Sequence, residues 1–137
     1  MTLRPCLFAA ALAAFLAAPS GSRAVAPGAS LDATEELAIC AGRLAALTDH
    51  LWQMNDPLAP AAELRRDWMV ALYEASLPTA GDPGMSRSAL LLGRIRAKRD
   101  LDRLLETGEF NPDRRRARMA RSLADRQMDS CIALMTR

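Results

Sequence analysis

The chain has 137 residues, with 18 basic and 16 acidic side chains, one histidine and three cysteines. A chain of this length forms at most one small domain, and an apolar content of 50% is enough to bury a core, which argues against wholesale disorder. Aromatic residues make up only 4% of the chain, so a nucleic-acid-binding module based on base stacking is disfavoured.

The first 24 residues have the pattern of a secretory signal peptide. Arg4 provides a short positive region, and an uninterrupted apolar run of 13 residues follows over positions 6–18. Ser22 and Ala24 place small residues three and one positions before a cleavage site, so we predict cleavage after Ala24. Cleavage after Ala26 also fits, but it would leave a proline next to the scissile bond. The run is too short for a membrane-spanning helix, which needs about 20 apolar residues.

We therefore predict a signal peptide over residues 1–24 and a single domain over residues 25–137. Without the signal, 16 basic and 16 acidic side chains remain, so the net charge is zero and does not indicate nucleic-acid binding. Arg outnumbers Lys by 17 to 1, which together with the many alanines is typical of a GC-rich bacterial genome. The predicted location is outside the cytoplasm, and it is the periplasm if the host is Gram-negative.

Apolar residues recur at helical spacing in four segments, and no segment shows the period-two alternation of a β-strand. The first predicted helix begins near Ser30 or Asp32 and ends before Asn55, and its apolar residues follow one another at intervals of three and four. The second predicted helix covers Ala59–Ser76. Its expected inner face consists of Leu64, Trp68, Ala71, Leu72 and Ala75.

The third helix is predicted to begin at Ser86 and to end at Thr107, with Gly108 as a left-handed cap. The fourth is predicted to begin at Pro112 behind a cap formed by Asn111, and to run to near the end of the chain. Four helices joined by short loops predict an all-α protein, folded as an up-down-up-down antiparallel four-helix bundle.

Two cysteines, Cys40 and Cys131, remain after signal cleavage, and exported proteins with an even number of cysteines usually pair them. Cys40 lies about two turns into the first predicted helix and Cys131 about two turns before the end of the last, so their levels coincide in an antiparallel pair. We predict a structural disulfide between them. A redox-active pair favours C-x-x-C spacing, and a metal site needs more cysteines or histidines, so neither is expected.

Charge is divided unequally along the chain. Residues 25–82 have three basic and nine acidic side chains, and residues 83–137 have 13 basic and seven acidic ones. The simpler interpretation is mutual attraction between the two halves, which favours one topology. The other is a docking surface, because five arginines crowd the positive end of the fourth helix dipole and an anionic partner would relieve their repulsion. They are Arg114, Arg115, Arg116, Arg118 and Arg121.

A cofactor site is the main alternative, because four-helix bundles hold cofactors between facing helices and a His/Met pair can ligate haem. His50 is the only histidine, and antiparallel counting from the cysteine pair places Met119 near its level. Met54 lies one turn beyond His50. No C-x-x-C-H attachment motif is present, and methionines also serve as core filler. Trp52 is expected at the edge of the core, or exposed as an anchor for a partner.

The sequence contains neither a glycine-rich phosphate loop nor a recognisable arrangement of nucleophile, histidine and acid. We therefore expect a non-enzymatic, exported binding or accessory protein of the cell envelope. Its partner would be a protein or an anionic envelope component, with no nucleic acid and no transmembrane segment after signal cleavage. The alternative is a small haem- or metal-binding bundle that uses His50 and a methionine.

Overall fold

The computed structural model describes residues 31–77 and 86–136, which form four α-helices. These are α1 (Leu31–Gln53), α2 (Ala59–Ala75), α3 (Arg87–Phe110) and α4 (Arg114–Met135). The predicted signal peptide lies outside the described residues. Within them, no helix combines the length and the hydrophobicity needed to cross a bilayer.

Helices α2 and α4 run antiparallel to α1. The hydroxyl of Thr34, near the start of α1, donates a hydrogen bond to the carbonyl oxygen of Ser76 just after α2 (3.2 Å). Cys40 of α1 forms a disulfide with Cys131 near the end of α4, and their Cα atoms are 5.3 Å apart. The predicted disulfide and the register that led to it are therefore confirmed.

Helix α1 is the centre of the bundle and packs against each of the other three helices. Helix α3 runs parallel to it, since Leu90 near the start of α3 shares a cluster with Ala38, and Lys98 further along pairs with Asp49 (2.9 Å). The directions therefore alternate, as the up-down-up-down prediction requires. The ends of α1 and α3 lie at the same end of the bundle as the starts of α2 and α4.

The core is built largely from small side chains, because the helices approach α1 closely. One cluster surrounds the disulfide, a second lies near the start of α1, and a third joins α1 to α3 and α4. Together their buried members are Ala38, Cys40, Ala41, Leu44, Ala46, Met69, Tyr73, Leu90, Leu101, Ala124 and Cys131. Since α1 contributes alanines on several of its faces, it can be covered from three sides.

The turn between α1 and α2 is set by Asn55, whose φ of 51° lies in the left-handed region. Asparagine tolerates this conformation better than most residues, and it ends α1 where the sequence predicts. The next residue, Asp56, accepts a hydrogen bond at its Oδ1 from the backbone N–H of Leu58 (2.8 Å). This short turn leads directly into α2, where Pro60 occupies the first turn as expected.

The predicted left-handed cap at Gly108 is wrong. Helix α3 continues to Phe110, and Gly108 is a buried residue inside it. A Cβ atom at this position would lie 2.8 Å from Cγ of Arg121 on α4. The glycine is therefore explained by the close approach of α3 and α4 and not by the end of a helix.

The predicted cap of α4 is also wrong by two residues. The N-cap is Asp113, whose Oδ1 accepts hydrogen bonds from the backbone N–H groups of Arg115 (2.8 Å) and Arg116 (3.3 Å). Asn111 instead accepts from the N–H of Asp113 (2.9 Å), and Pro112 precedes the helix. A carboxylate at an N-cap is the stronger choice, because it adds a favourable interaction with the helix dipole.

The predicted inner face of α2 is wrong, and its large apolar side chains point outward. Leu64 is 73% exposed, Trp68 is 46% exposed, and Leu72 is also exposed. The face that packs against α1 consists of Ala59, Ala62, Met69 and Tyr73. Alanines near the start of α2 let this helix approach α1 more closely than leucines would allow, so the second apolar stripe is left facing solvent.

Candidate interaction surfaces

The disulfide is enclosed by the helices that it joins. Cys40 and Cys131 are both buried, and the guanidinium of Arg43 covers them from one side with its Nη1 3.9 Å from Sγ of Cys131. The same Nη1 donates to the carbonyl oxygen of Gln127 (3.2 Å) and to the hydroxyl of Ser130 (3.0 Å). Arg43 therefore supports the bridge by holding α4 against α1. Sulfur atoms enclosed in this way are suited to a structural role.

Burial has a cost at Arg43. Its Nε is buried without a hydrogen-bond acceptor among the described residues. Burial lowers the pKa of Arg43, and the negative charge of Asp100 opposes that effect. The guanidinium thus makes its contacts with α4 while one of its buried donors stays unsatisfied among the described residues.

A cleft of about 330 Å³ lies between the second halves of α1 and α3. Lys98 bridges its two sides, with Nζ 2.9 Å from a carboxylate oxygen of Asp49 and 3.0 Å from one of Asp102. Burial lowers the pKa of Lys98, but the hydrogen bonds to the two carboxylates outweigh this effect and raise it. The cleft is lined by Asp49, His50, Gln53, Lys98, Asp102, Glu106 and Phe110.

The cleft brings His50 next to α3. Met54 and Met119 do not line the cleft, and both are exposed, Met119 to 58%. The reason is that α3 packs against the second half of α1 and therefore occupies the space beside His50 that antiparallel counting assigned to α4. Within residues 31–77 and 86–136, no group of three or more His, Cys, Asp or Glu side chains is placed to hold a metal ion.

The five arginines at the start of α4 are all exposed. Arg116 makes an ion pair with Asp113 (3.5 Å), which also caps the helix. In the part of the chain that the structure describes, no acidic side chain pairs with the other four. Spacings of four and three residues place Arg114, Arg118 and Arg121 on one side of α4. The predicted cluster is therefore an exposed positive surface, in which only Arg116 forms an ion pair with a carboxylate of the described residues, that of Asp113.

Large apolar side chains are exposed at the same end of the bundle as these arginines. Trp52 is 50% exposed, and Leu58 and Phe110 are each 65% exposed. They lie in the last turn of α1, in the α1–α2 turn and at the end of α3. The sequence predicts such a role for Trp52 but not for Leu58 or Phe110. In the sequence, Leu58 and Phe110 are each a large apolar residue next to a turn. Helical periodicity does not show whether a residue in such a position is buried.

A second exposed apolar surface follows the outer side of α2, and we call it the α2 stripe. It consists of Ala61, Leu64, Trp68, Ala71, Leu72 and Ala75, all of them exposed. The stripe contains no charged residue over four turns of helix. Contiguous exposed apolar patches of this kind are typical of interaction sites.

Comparison of the chain with protein-family models, with curated proteins and with solved structures gives no match.

Proposed function

We propose that this protein is an exported, non-enzymatic binding protein of the cell envelope that docks a helix of a partner protein on its α2 stripe. The observation that carries the proposal is the exposure of Leu64, Trp68 and Leu72 on a helix whose other face is already packed against α1. These side chains leave much of their apolar surface outside the core, so this surface is available for burial against a partner. Tryptophan is also among the residues enriched at the energetic anchors of protein interfaces.

The spacing of the stripe favours a helical partner. Residues 61, 64, 68, 71 and 75 follow one another at intervals of three, four, three and four. This is the heptad pattern by which one helix packs its side chains between those of another. A partner helix with an apolar stripe of similar length would cover Trp68 at the centre and an alanine at each end.

The charges beside the stripe argue for a different chain and against a second copy of this one. In a two-fold pair of α2 helices centred on Trp68, residues near the axis face their own equivalents. Asp67, one residue from the axis, would then approach a second Asp67, and like charges in contact are unfavourable. A partner helix with a base opposite Asp67 avoids this repulsion, and an acid opposite Arg65 adds an attraction.

A role in binding agrees with the state of the reactive groups in the fold. The two cysteines of the described chain are joined to each other and enclosed, so they are occupied as structural elements. Lys98 is engaged by the carboxylates of Asp49 and Asp102, so its ammonium group is occupied in ion pairs that bridge α1 and α3.

Export is tested by expressing the full chain with a C-terminal tag in a Gram-negative host and fractionating the cells. The expected product is periplasmic, and its N-terminal sequence begins at Val25. A product that stays in the cytoplasm and keeps residues 1–24 would contradict the export half of the proposal.

Binding is tested by placing a photo-crosslinking amino acid at position 68 in cells of the source organism. The expected crosslink joins position 68 to another protein, and the crosslinked peptide lies on the apolar side of an amphipathic helix. Leu64→Glu in the same chain should abolish the crosslink.

The matched control is Ile132→Glu, which alters an exposed apolar residue on α4 outside the stripe and should leave the crosslink intact. A crosslink that forms only between two copies of this chain would contradict the proposal. So would a crosslink that survives Leu64→Glu.

A further inference from the structure

We propose that the end of the bundle formed by the α1–α2 turn, the end of α3 and the start of α4 docks on an anionic lipid bilayer. We call this surface the docking end. Its apolar members are Trp52, Leu58 and Phe110, and its basic members are Arg114, Arg115, Arg116, Arg118 and Arg121. It uses residues outside the α2 stripe, so it can succeed or fail independently of the function proposed above.

The apolar side chains of the docking end come from three separate chain segments that the fold brings to one end. Trp52 lies in the last turn of α1, Leu58 in the turn before α2, and Phe110 at the last position of α3. Phe110 lines the same cleft as Gln53, the residue after Trp52, which places the ends of α1 and α3 side by side. A tryptophan, a phenylalanine and a leucine at one tip are the side chains that enter the boundary between lipid head groups and acyl chains.

The basic side chains begin four residues after Phe110, so charge and apolar surface are adjacent. From residue 109 to residue 121, five arginines stand against two acids, Glu109 and Asp113. Arginines beside an anionic bilayer gain electrostatic attraction to the head groups, and the mutual repulsion of five like charges is relieved. The combination of insertable apolar residues with a basic cluster distinguishes a lipid surface from a small anion, which would use only the arginines.

The placement of the other surfaces is compatible with docking by this end. The α2 stripe runs along the side of the bundle, so it stays accessible to a partner when the docking end is on a membrane. The first described residue of α1, Leu31, lies at the opposite end, because α1 runs toward the docking end.

The test measures binding of the exported protein to vesicles of phosphatidylcholine, with and without phosphatidylglycerol. Trp68→Phe serves as the background, because it leaves Trp52 as the only tryptophan. We expect co-sedimentation with phosphatidylglycerol vesicles and a blue shift of Trp52 emission. Both should weaken as salt is added, since the attraction to the head groups is screened.

Charge variants identify the arginines that bind. Replacing Arg114, Arg118 and Arg121 together by glutamine should weaken binding on the order of 100-fold, from about 1 kcal/mol for each arginine. The control replaces Arg96, Arg99 and Arg126 by glutamine, which removes the same charge from exposed positions in the middle of α3 and α4. Binding of the control should stay close to that of the parent. An equal loss in both triple variants would overturn the proposal, because net charge alone would then explain it.

Apolar variants complete the test. Leu58→Asn together with Phe110→Asn should weaken binding about tenfold or more, while Ile132→Asn, at an exposed site on α4, should not. Equal binding to vesicles without phosphatidylglycerol would overturn the proposal, and so would an unchanged Trp52 emission spectrum. All variants share the same residues before Leu31, so differences among them report on the docking end itself.

Discussion

Gly42 of α1 lies against the backbone of Arg94 of α3, and a Cβ atom at Gly42 would overlap the carbonyl oxygen of Arg94. The same Cβ would also lie 3.1 Å from the backbone nitrogen of Lys98. The two parallel helices therefore touch through their main chains at this level. A glycine in the middle of a helix lowers helix stability by itself. Here the close contact between α1 and α3, which only a glycine allows, offsets that loss.

Gly42→Ala is expected to destabilise the fold by about 2 kcal/mol or more, because neither backbone can yield without moving a whole helix. The matched control is Gly93→Ala on α3, where a Cβ atom would meet nothing within 4 Å. That change should be neutral or stabilise by up to about 1 kcal/mol, through the higher helix propensity of alanine. Urea unfolding of both variants measures the difference. Equal effects at the two glycines would mean that α1 and α3 do not pack as described.

The neighbouring residues Trp68 and Met69 test which face of α2 is buried. Met69 is fully buried, whereas Trp68 is half exposed. Met69→Ala should cost about 2–5 kcal/mol, as for other buried side chains reduced to alanine. Trp68→Ala should cost less than this, although the side chain removed is larger, because about half of it is already exposed. The reverse order, measured by thermal unfolding, would show that the face predicted from the sequence is the inner one.

The error on α2 has a physical cause. Helical periodicity identifies apolar stripes, and α2 has two of them, one with larger side chains at Leu64, Trp68 and Leu72 and one with smaller ones. Hydrophobic content favours the larger stripe. In the structure, the helix against which α2 packs decides which stripe is buried. The alanines of α1 allow a close approach, and small side chains such as Ala59 and Ala62 fit between the two helices. The buried face of α2 therefore depends on both helices of the pair, and the sequence pattern of α2 alone cannot identify it.

The helical content, the alternating directions and the cysteine pair could be predicted, because each depends on local signals or on simple counting along antiparallel helices. The position of α3 could not. Counting from Cys40 and Cys131 treats α1 and α4 as neighbours along their whole length, but α3 takes the place beside His50. The arginine cluster was evident from composition, while its apolar neighbours Leu58 and Phe110 became visible only when three chain segments met at one end.

Removal of the disulfide should weaken the fold strongly. Cys40 and Cys131 are 91 positions apart in the chain, and closing a loop of this length restricts the unfolded state by about 4–5 kcal/mol in the chain-entropy model. That is comparable with the whole stability of a small domain, about 5–15 kcal/mol. The double replacement of both cysteines by alanine should therefore lower the melting temperature sharply. Reductant should have the same effect on the parent protein and none on the double variant; equal melting of the parent with and without reductant would contradict the prediction.

The ion pairs of Lys98 give the fold a dependence on alkaline pH. The pKa of Lys98 is raised in the folded protein, because the hydrogen bonds to Asp49 and Asp102 outweigh the lowering by burial. A raised pKa stabilises the fold fully below the ordinary lysine value, about 10.4, and the contribution is lost as the pH rises through the higher folded value. Since the side chain is 37% exposed, the contribution is small, about 1 kcal/mol or less.

Urea unfolding near pH 8 and near pH 11 should show the parent losing its advantage over Lys98→Met at the higher pH. Lys98→Arg, which keeps its charge throughout this range, should retain more of that advantage near pH 11 than the parent does. A parent and a Lys98→Met variant with the same change between the two pH values would show that the bridge between α1 and α3 contributes nothing to folding.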